Sequence, residues 1–479
     1  MNLAGLIFVL VTHFLAGRGV MAMFGIKENK RKTLALSMII GVVLFHFLPV
    51  VLEVCHIAIT ATSISIAIGI LTLALFLPVS YKLDYSVLKI TRPSFTLYEA
   101  LFATLLILMV IPSVWLCYYF PVFARDVLSG PEPLAEYAVR EHTLINSALS
   151  VDLTSTNNHL KPPFILGLQV IYKLLVHPFG ELWLSIMVCS FLLMFYTLIR
   201  ERVHALIVLF IMMLFIMMPE IYGYMYIVLS DYPNMVLFFL AFYYLGKYLE
   251  TKQANTFYFA TFLFCLASSI RSETVVLIGL IVPLLLFSFI KDRIKPGVIA
   301  LRLGILLVIP YLLYYVWMNV FVANYMHIQF NTGEQLSVTS DSVNIFFDRI
   351  GIILGPMLFS EHARELFGYI FNIFLFTLAL DLVLWRKKIG LQARVMLYGI
   401  VVVLVGLPLL GAIIPWFDIN NTTKRGVFKL FPLAAFYMAN SPTLLQLSQA
   451  IKRFEFPELT AQKNAAPVMA QQQKIKKKK

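Results

Sequence analysis

Long apolar segments alternate with short polar connectors along most of the chain. A transmembrane helix needs about 20 mostly apolar residues, and thirteen segments approach that length. They are 3–24, 33–53, 57–79, 97–119, 181–199, 204–219, 232–248, 256–270, 274–290, 298–325, 366–385, 391–415 and 427–445. The pattern therefore predicts an all-α polytopic membrane protein with about 13 transmembrane helices.

Basic residues mark one side of this predicted topology. Lys and Arg are enriched in short loops on the cytoplasmic side of a membrane. With thirteen spans, the basic segments share one side: 27–32, 82–92, 200–202, 247–252, 291–295, 386–388 and the C-terminal tail. The opposite, outer side then receives 54–56, 120–180, 220–231, 271–273, 326–365 and 416–426. This arrangement predicts an outer N-terminus and a cytoplasmic C-terminus.

Two apolar pieces of the outer segments are too short to span. Segment 164–180 ends at Pro178 and Gly180, so we expect a short helix that lies along the membrane interface. Segment 351–359 is expected to form a re-entrant or interfacial helix, because the topology allows no crossing there. The outer loops are thus predicted to carry short interfacial helices.

Composition agrees with a membrane protein. Of the 479 residues 60% are hydrophobic and 13% charged, and the mean hydropathy is +0.85, whereas soluble domains carry about 25% charged residues. The net charge of +13 does not indicate a nucleic-acid partner, because from residue 452 onward eight Lys or Arg face two Glu. Such a tail beside a membrane suits anionic lipid headgroups, or it is solvated and only fixes orientation.

The cysteines and the first apolar run add two further expectations. Four cysteines are widely spaced and form no Cys/His cluster, which indicates neither a metal site nor a disulfide framework. The first apolar run begins at Leu3 without a basic segment before it and without a clear cleavage site. We therefore expect a retained span rather than a signal peptide.

The predicted spans carry almost no ionisable residue near mid-depth. Ion-coupled transporters usually place charged groups at the membrane midplane, often on broken helices of repeated halves. In this chain the charges lie toward the ends of the spans and gather in the outer segments. The distribution argues against a pump or symporter.

The outer segment 119–163, here called the polar loop, is long and rich in ionisable side chains. It carries Arg125, Asp126, Glu132, Glu136, Arg140, Glu141, His142, Asp152, His159 and Lys161. Loops of this length are usually functional or disordered. The chemistry of the protein is therefore predicted to lie in this loop.

Two positions of the polar loop suit catalysis and phosphate binding. Asp126 follows a predicted span closely, and a carboxylate at the interface can accept a proton from a hydroxyl group. The alternative is that Arg125 and Asp126 only anchor the span. Lys161 precedes two prolines, which favour extended backbone, and its ammonium can serve as a point charge for a phosphate. A rigid turn is the alternative for Lys161.

Further outer segments carry acids and unexpected cations. Glu220 and Asp231 bracket an aromatic stretch and could position a polar acceptor or hold a divalent cation. For Asp231, helix capping is the expected minimum role. Positive charge on the outer side runs against the usual bias, and it is present at Arg271, Lys424, Arg425 and Lys429. A lipid-linked phosphate would explain these cations, and so would pairing with carboxylates such as that of Glu273.

Several of these segments resemble a family of membrane glycosyltransferases with the GT-C fold. The family includes the aminoarabinose transferases of lipid A and the protein O-mannosyltransferases. The resemblance spans roughly residues 97–445. It is carried by Arg125-Asp126, Ala135-Glu136-Tyr137-Ala138, Lys161-Pro162-Pro163, Gly180-Glu181-Leu182-Trp183, Ser230-Asp231-Tyr232-Pro233 and Lys424-Arg425. The chain departs from the family at Val127, where members often carry Glu, and in its three additional N-terminal spans.

The resemblance implies that a sugar is transferred, with inversion, from a polyprenyl-phosphate donor to an acceptor hydroxyl on the outer face. Asp126 would be the general base, and the apolar spans with segment 349–359 would hold the prenyl chain. The leaving lipid phosphate would be stabilised by Lys161, Arg271, Arg425 and Lys429. Residues with acceptor-contact or structural roles would include Arg125, Glu136, His142, His159, Glu220, Asp231 and Glu273. The metal requirement stays open: a divalent cation is one option, and no cofactor is certain.

These expectations define three regions and one principal function. Residues 1–96 would form an additional three-helix module, 97–445 the GT-C-like core, and 446–479 a basic cytoplasmic tail. The protein is predicted to be a multi-pass glycosyltransferase of a bacterial inner membrane with a periplasmic site, although Lys476 and Lys477 also fit an endoplasmic-reticulum retrieval signal. The alternatives are a transporter or flippase of a lipid-linked glycan and a non-catalytic scaffold with a lipid pocket.

Overall fold

The computed structural model describes residues 1–82, 96–150, 161–326, 341–414, 417 and 419–455. Helices form most of this part of the chain, and no strand is present in it. The α-helices are α1 Leu3–Met23, α2 Lys30–Phe45, α3 Leu48–Val54, α4 Ala61–Phe76, α5 Leu97–Tyr119, α6 Arg125–Leu128, α7 Pro131–Glu141, α8 Phe164–Leu175, α9 Leu182–Arg200, α10 Ala205–Ile216, α11 Pro219–Gly223, α12 Asp231–Thr251, α13 Ala254–Ile270, α14 Glu273–Gly279, α15 Val282–Lys291, α16 Pro296–Tyr315, α17 Ser342–Ile352, α18 Glu361–Phe367, α19 Ile370–Leu384, α20 Leu391–Ile413, α21 Lys424–Gly426, α22 Leu430–Asn440 and α23 Pro442–Glu455.

Short 3₁₀ and π-helical segments extend or join these helices. They are Leu77–Lys82, Ser147–Ser150, Val316–Tyr325, Ile353–Met357, Arg386–Lys388, Ile419–Thr423 and Val427–Lys429.

Eight helical segments of the described chain are long and apolar enough to cross a membrane. They are Leu3–Met23, Lys30–Val54, Ala61–Ser80, Leu97–Tyr119, Leu182–Arg200, Glu273–Lys291, Pro296–Tyr325 and Leu391–Ile413. The pair Ser342–Met357 and Glu361–Phe367, bent by 72°, would be a ninth. The protein is therefore an all-α, multi-pass membrane protein. The bend falls at segment 351–359 and suits either a broken span or a re-entrant segment.

Five of the thirteen predicted spans do not meet this standard by length and composition. Four of them, α10, α13, α19 and α22, are helices of 12, 17, 15 and 11 residues. The fifth, α12, has 21 residues but includes Asp231, Lys247 and Glu250. Helices α12 and α22 are buried along nearly their whole length, so other helices rather than lipid surround them.

Helix α12 runs through the core and defines two ends of the bundle. Asp231 begins α12, and Lys247 follows sixteen residues later, roughly 24 Å further along the helix axis. The end at Asp231 is here called the site end. At the other, far end, Glu28 pairs with Lys247 and with Lys32, each at 2.6 Å. Charged residues thus gather at both ends of this helix, as they do in the sequence pattern.

Helix α8 corresponds to the predicted interfacial helix at 164–180, but its surroundings differ from the prediction. All of its residues except Lys173 and Leu174 are buried, because it packs against α3, α4, α7 and α9. It lies inside the protein rather than on its surface. At the C-terminal side, α23 runs to Glu455 and so continues across the predicted boundary between 445 and 446.

The N-terminal helices α1 and α2 cross at very short distance. A Cβ atom built on Gly17 or Gly41 would collide with the backbone of Ser37 or His13 on the facing helix. Small residues allow such close approach of helices in membranes. Glycine at these two positions therefore fixes how the N-terminal helices pack.

We expect Gly41→Ala to destabilise the protein by about 1–3 kcal/mol, because the added methyl group forces the helix backbones apart. The measurement is the apparent melting temperature of the detergent-solubilised protein. Gly69→Ala in α4 is the matched control, since a Cβ there meets no atom within 4 Å. Equal melting temperatures for the two variants would show that the α1–α2 contact is not tight.

Candidate functional site

Asp126 lies where the chain leaves the long helix α5 and enters the short helix α6. Its Oδ2 atom is 2.6 Å from Nη1 of Arg425 and 3.4 Å from Nζ of Lys161. Arg425 belongs to α21, and Lys161 lies three residues before α8. Two positions of the polar loop, 35 residues apart, therefore meet the distant Arg425 at this carboxylate. The predicted base and two of the predicted phosphate-binding cations are direct neighbours.

A series of ion pairs continues from Arg425 into the bundle. Nη1 of Arg425 is 3.8 Å from Oδ2 of Asp231, and Arg271 pairs with the other oxygen of the same carboxylate. Arg271 also contacts Glu273 at 2.6 Å, and Lys429 contacts Glu273 at 2.7 Å. These seven side chains are here called the charge network: Asp126, Lys161, Asp231, Arg271, Glu273, Arg425 and Lys429.

The charge network is graded from a buried side to an open side. The side chains of Asp231, Glu273 and Lys429 are 1%, 5% and 2% exposed. Those of Asp126 and Lys161 are 25% and 35% exposed. Among the described residues, Asp126 and Lys161 are therefore the most exposed members of the network, followed by Arg271 and Arg425 at 12% each.

The network holds four cations and three carboxylates, which leaves one positive charge in excess. Arg425 also keeps a buried Nε–H group that finds no hydrogen-bond acceptor among the described residues. Buried donors are almost always paired, and Arg readily donates to carboxylate or phosphate oxygens. The open side of the network is thus suited to bind an anion.

The neighbouring charges alter the acidity of both open residues. Burial alone would raise the pKa of Asp126, but Lys161 and Arg425 outweigh it and hold that pKa below its usual value. Burial lowers the pKa of Lys161 to about 8, reinforced by Arg425 and Arg271 and opposed by Asp126. At neutral pH Asp126 is therefore ionised, while Lys161 loses its charge as the pH rises past 8.

Helix α7 carries the middle of the polar loop and is held against α8. The buried ammonium of Lys173 pairs with Glu132 at 2.8 Å and with Glu136 at 3.2 Å. Gln169 donates a hydrogen bond to Glu132 at 2.9 Å. Glu136, a candidate for acceptor contact, thus has a structural role, and it also pairs with Arg140.

Three other candidates of the polar loop stand apart from the charge network. Arg125 is exposed and forms no ion pair among the described residues, whereas Asp126 has two cationic partners. His142 ends α7 with a φ of 63°, and its Nδ1 lies 3.1 Å from the carbonyl oxygen of Ile59. His159 lies outside the described residues.

The two acids that bracket the aromatic stretch have separate partners. Glu220 pairs with Lys424 at 3.0 Å, and Asp231 faces Arg271 and Arg425. The predicted capping role of Asp231 is wrong, because the N-cap of α12 is Ser230 and no side-chain capping bond forms. A carboxylate binds a guanidinium more strongly than a neutral backbone N–H. No group of three His, Cys, Asp or Glu that could hold a metal ion is present in the described part of the chain.

Tyr224 belongs to the site, although the sequence did not single it out. It is 8% exposed, and its ring packs edge-on against that of Phe428 at 4.6 Å. Burial raises the pKa of Tyr224 to about 12, so its hydroxyl group stays neutral. Its place in the aromatic stretch between Glu220 and Asp231 was the only signal in the sequence.

An apolar cavity of about 540 Å³ lies beside Lys161. Pro162 and Pro163 form part of its wall directly after Lys161, and Ser268 and Ser269 form another part just before Arg271. Helix α3 and segment 313–325 contribute most of the remaining, largely apolar lining. Cavities of roughly 300–1,000 Å³ with mainly apolar walls typically hold small molecules or cofactors. The cavity wall thus includes the residues that follow Lys161 and those that lie two and three positions before Arg271.

No protein-family model, curated protein or solved structure matches the chain. The function of the site therefore has to be argued from its own chemistry.

We expect Glu273→Gln to destabilise the protein by about 3–5 kcal/mol, because it leaves the buried ammonium of Lys429 without its counter-charge. Thermal unfolding in detergent measures the effect. Glu136→Gln is the control, since its pairs are partly exposed and should contribute at most about 1 kcal/mol.

The double variant Glu273→Gln/Lys429→Met removes both charges and should recover most of the loss. A Glu273→Gln protein as stable as the Glu136→Gln protein would contradict a structural role for the inner part of the charge network.

Proposed function

We propose that this protein is a membrane glycosyltransferase that moves a sugar from a polyprenyl-phosphate donor to an acceptor hydroxyl, with inversion. The observation that carries the proposal is the meeting of Asp126, Lys161 and Arg425 beside an apolar cavity. A carboxylate that can take a proton, two cations that can hold a phosphate, and a cavity for a lipid chain lie next to one another. The acceptor hydroxyl, the donor phosphate and the lipid chain would each find a matching group there.

The donor would bind with its phosphate at the open side of the charge network and its lipid chain in the cavity. Lys161 links the two, because its ammonium faces Asp126 while the following prolines line the cavity. A phosphodiester is anionic, so it complements the excess positive charge and the Nε–H of Arg425, which has no acceptor in the described part of the chain. The apolar chain would gain van der Waals contacts with the cavity wall.

Phosphate and Asp126 would compete for the same two cations. In the free protein Lys161 and Arg425 both face Asp126 and hold its pKa down, which makes it a weak base. A phosphate that draws these cations away raises the basicity of the carboxylate at the moment the donor is present. The general base is thus strengthened by the substrate itself.

In the chemical step, Asp126 accepts the proton of the acceptor hydroxyl while the hydroxyl oxygen bonds to the anomeric carbon of the sugar. The bond between that carbon and the phosphate oxygen breaks, and its electron pair leaves with polyprenyl phosphate. Lys161 and Arg425 stabilise the charge that develops on the leaving phosphate. Attack opposite the leaving group inverts the anomeric configuration.

The proposed enzyme would have the following fold, membrane orientation and location. Residues 97–445 would form a GT-C-like core and residues 1–96 an additional three-helix module, with about thirteen spans in total when the shorter helices are included. The charge network would face the outer side, with the basic C-terminal tail in the cytoplasm. A bacterial inner membrane is the proposed location, with the acceptor approaching from the periplasm.

We expect Asp126→Asn to lower kcat about 10²–10⁴-fold, the range that a general base contributes. The assay is sugar transfer from a polyprenyl-phosphate donor by the purified protein in lipid vesicles. Donor affinity should be kept or increased, since the variant removes the anion that competes for Lys161.

The control is Asp292→Asn, which also removes a lysine-paired aspartate but belongs to the cluster with Lys252 at the far end. Transfer by Asp126→Asn at the wild-type rate would rule out the base assignment. Movement of intact lipid-linked sugar across the vesicle membrane by the same variant would favour a transporter instead.

We expect donor binding to weaken about tenfold between pH 7 and pH 9, because the charged fraction of Lys161 falls about tenfold around a pKa of about 8. The phosphodiester of the donor keeps its charge over this range. Lys161→Arg should remove the dependence, since arginine stays protonated. Isothermal titration at several pH values measures both proteins, and a flat wild-type profile would exclude Lys161 as the phosphate ligand.

A further inference from the structure

The connection between α3 and α4 holds the end of helix α7. Glu53, the second-last residue of α3, is 8% exposed. Its carboxylate accepts hydrogen bonds from the hydroxyl of Thr143 at 2.9 Å and from the backbone N–H of Leu144 at 2.6 Å. The backbone N–H of Ile59 donates to the carbonyl oxygen of His142 at 2.8 Å. The N-terminal helices thus bind the polar loop just after α7.

A hydrogen bond and helix packing within the polar loop link this contact to Asp126. Asn146, which is 5% exposed, donates to the carbonyl oxygen of Leu134 at 3.0 Å. Leu134 lies in the first turns of α7, and α7 packs against the short helix α6 that carries Asp126. On its other face α7 is fixed by Lys173. The position of the base therefore depends on both attachments of α7.

The same N-terminal connection also borders the apolar cavity. Val51, Val54 and Cys55 line it on one side. Tyr325 lines it from the facing segment, and its hydroxyl donates to the backbone carbonyl of Glu53 at 2.9 Å. Glu53 therefore joins three parts: the N-terminal helices, the polar loop and the cavity wall.

We infer that the N-terminal helices are a working part of the site, in which Glu53 is a positioning residue that holds the polar loop beside the lipid cavity. A carboxylate can accept hydrogen bonds from the hydroxyl and the N–H group together, and these bonds fix the position of Thr143 and Leu144 relative to α3. The catalytic consequence rests on the proposed function; the attachment of the loop does not. The ligand that this wall would contact is an isoprenoid chain.

The first test is hydrogen–deuterium exchange of the purified protein. Glu53→Gln weakens the acceptor for the N–H of Leu144 and for Thr143, so exchange in a peptide covering 142–149 should rise at least tenfold. Glu28→Gln is the matched control, because it removes a buried carboxylate of the same N-terminal region at the far end. Unchanged exchange in Glu53→Gln would overturn the inference.

The second test separates positioning from general stability. We expect Glu53→Gln to lower kcat for sugar transfer about 10–100-fold, as small displacements of a catalytic group do, with the KM for the donor within about threefold. Thr143→Ser keeps the hydroxyl group and should retain wild-type kcat, whereas Thr143→Ala should lower it. Glu28→Gln should leave kcat unchanged whatever its effect on stability.

The outcomes distinguish this inference from the proposed function. If Asp126→Asn abolishes transfer but Glu53→Gln keeps full kcat, the positioning role is wrong and the glycosyltransferase stands. If Asp126→Asn retains full transfer, the glycosyltransferase assignment is wrong, and the exchange experiment still decides the attachment.

A third measurement tests the cavity wall directly. Cys55 is accessible and lines the cavity, whereas Cys117 and Cys265 are buried. In a Cys189→Ser background, a short-chain polyprenyl phosphate should slow maleimide labelling of Cys55 at least tenfold, and inorganic phosphate should not. Equal labelling rates with and without the lipid would show that the N-terminal helices do not contact it.

Discussion

Charged side chains that leave water are stable only when they are paired, since the transfer of an isolated ion into a low-dielectric interior costs several kcal/mol. At the site end of the bundle, the residues of the charge network are subject to this constraint. Asp231, Glu273 and Lys429 are almost fully buried, and each faces an opposite charge. The helices that bring these residues must meet at fixed distances, so the packing of α12, α13, α14 and α22 is coupled to the geometry of the site.

The buried ion pairs of the charge network balance most of its charges, and Asp126 and Lys161 lie at its exposed side. Arg271 compensates the two buried acids, and Arg425 is shared between Asp231 and Asp126. Asp126 and Lys161 consequently stay partly exposed and can exchange partners. A base that rests in an ion pair is unreactive until a competing anion arrives. Under the proposed function, the phosphate of the donor would be that anion.

The N-terminal helices give the site a second support. Glycine at positions 17 and 41 lets α1 and α2 pack closely, and Glu53 of α3 connects the N-terminal helices to the polar loop. The loop is thereby held at two points, by Lys173 on α8 and by Glu53 on α3. A long loop that would otherwise carry high conformational entropy is ordered at the residues that the reaction would use.

The length of the apolar segments was sufficient to predict an all-helical, multi-pass membrane protein. A helix that crosses a membrane needs about 20 mostly apolar residues within its own sequence. Eight of the thirteen predicted spans meet the membrane standard of length and composition among the described residues. Helices such as α12 and α22 are surrounded by protein, and their place in the membrane stays a prediction.

Residue types and positions near span ends also predicted Asp126, Lys161, Arg271, Arg425 and Lys429 as site residues. A charged group in or near a membrane is costly unless a partner or ligand balances it. Pairing with carboxylates such as Glu273 was one of two explanations for the cations, and Arg271 and Lys429 do contact Glu273. The rest of the pairing could not be predicted. It depends on which helix ends meet, and contacts between residues up to 299 positions apart, such as Asp126 with Arg425, follow from packing of the whole bundle. Tertiary structure alone therefore decided that Asp231 is an ion-pair partner and that Glu53 holds the loop.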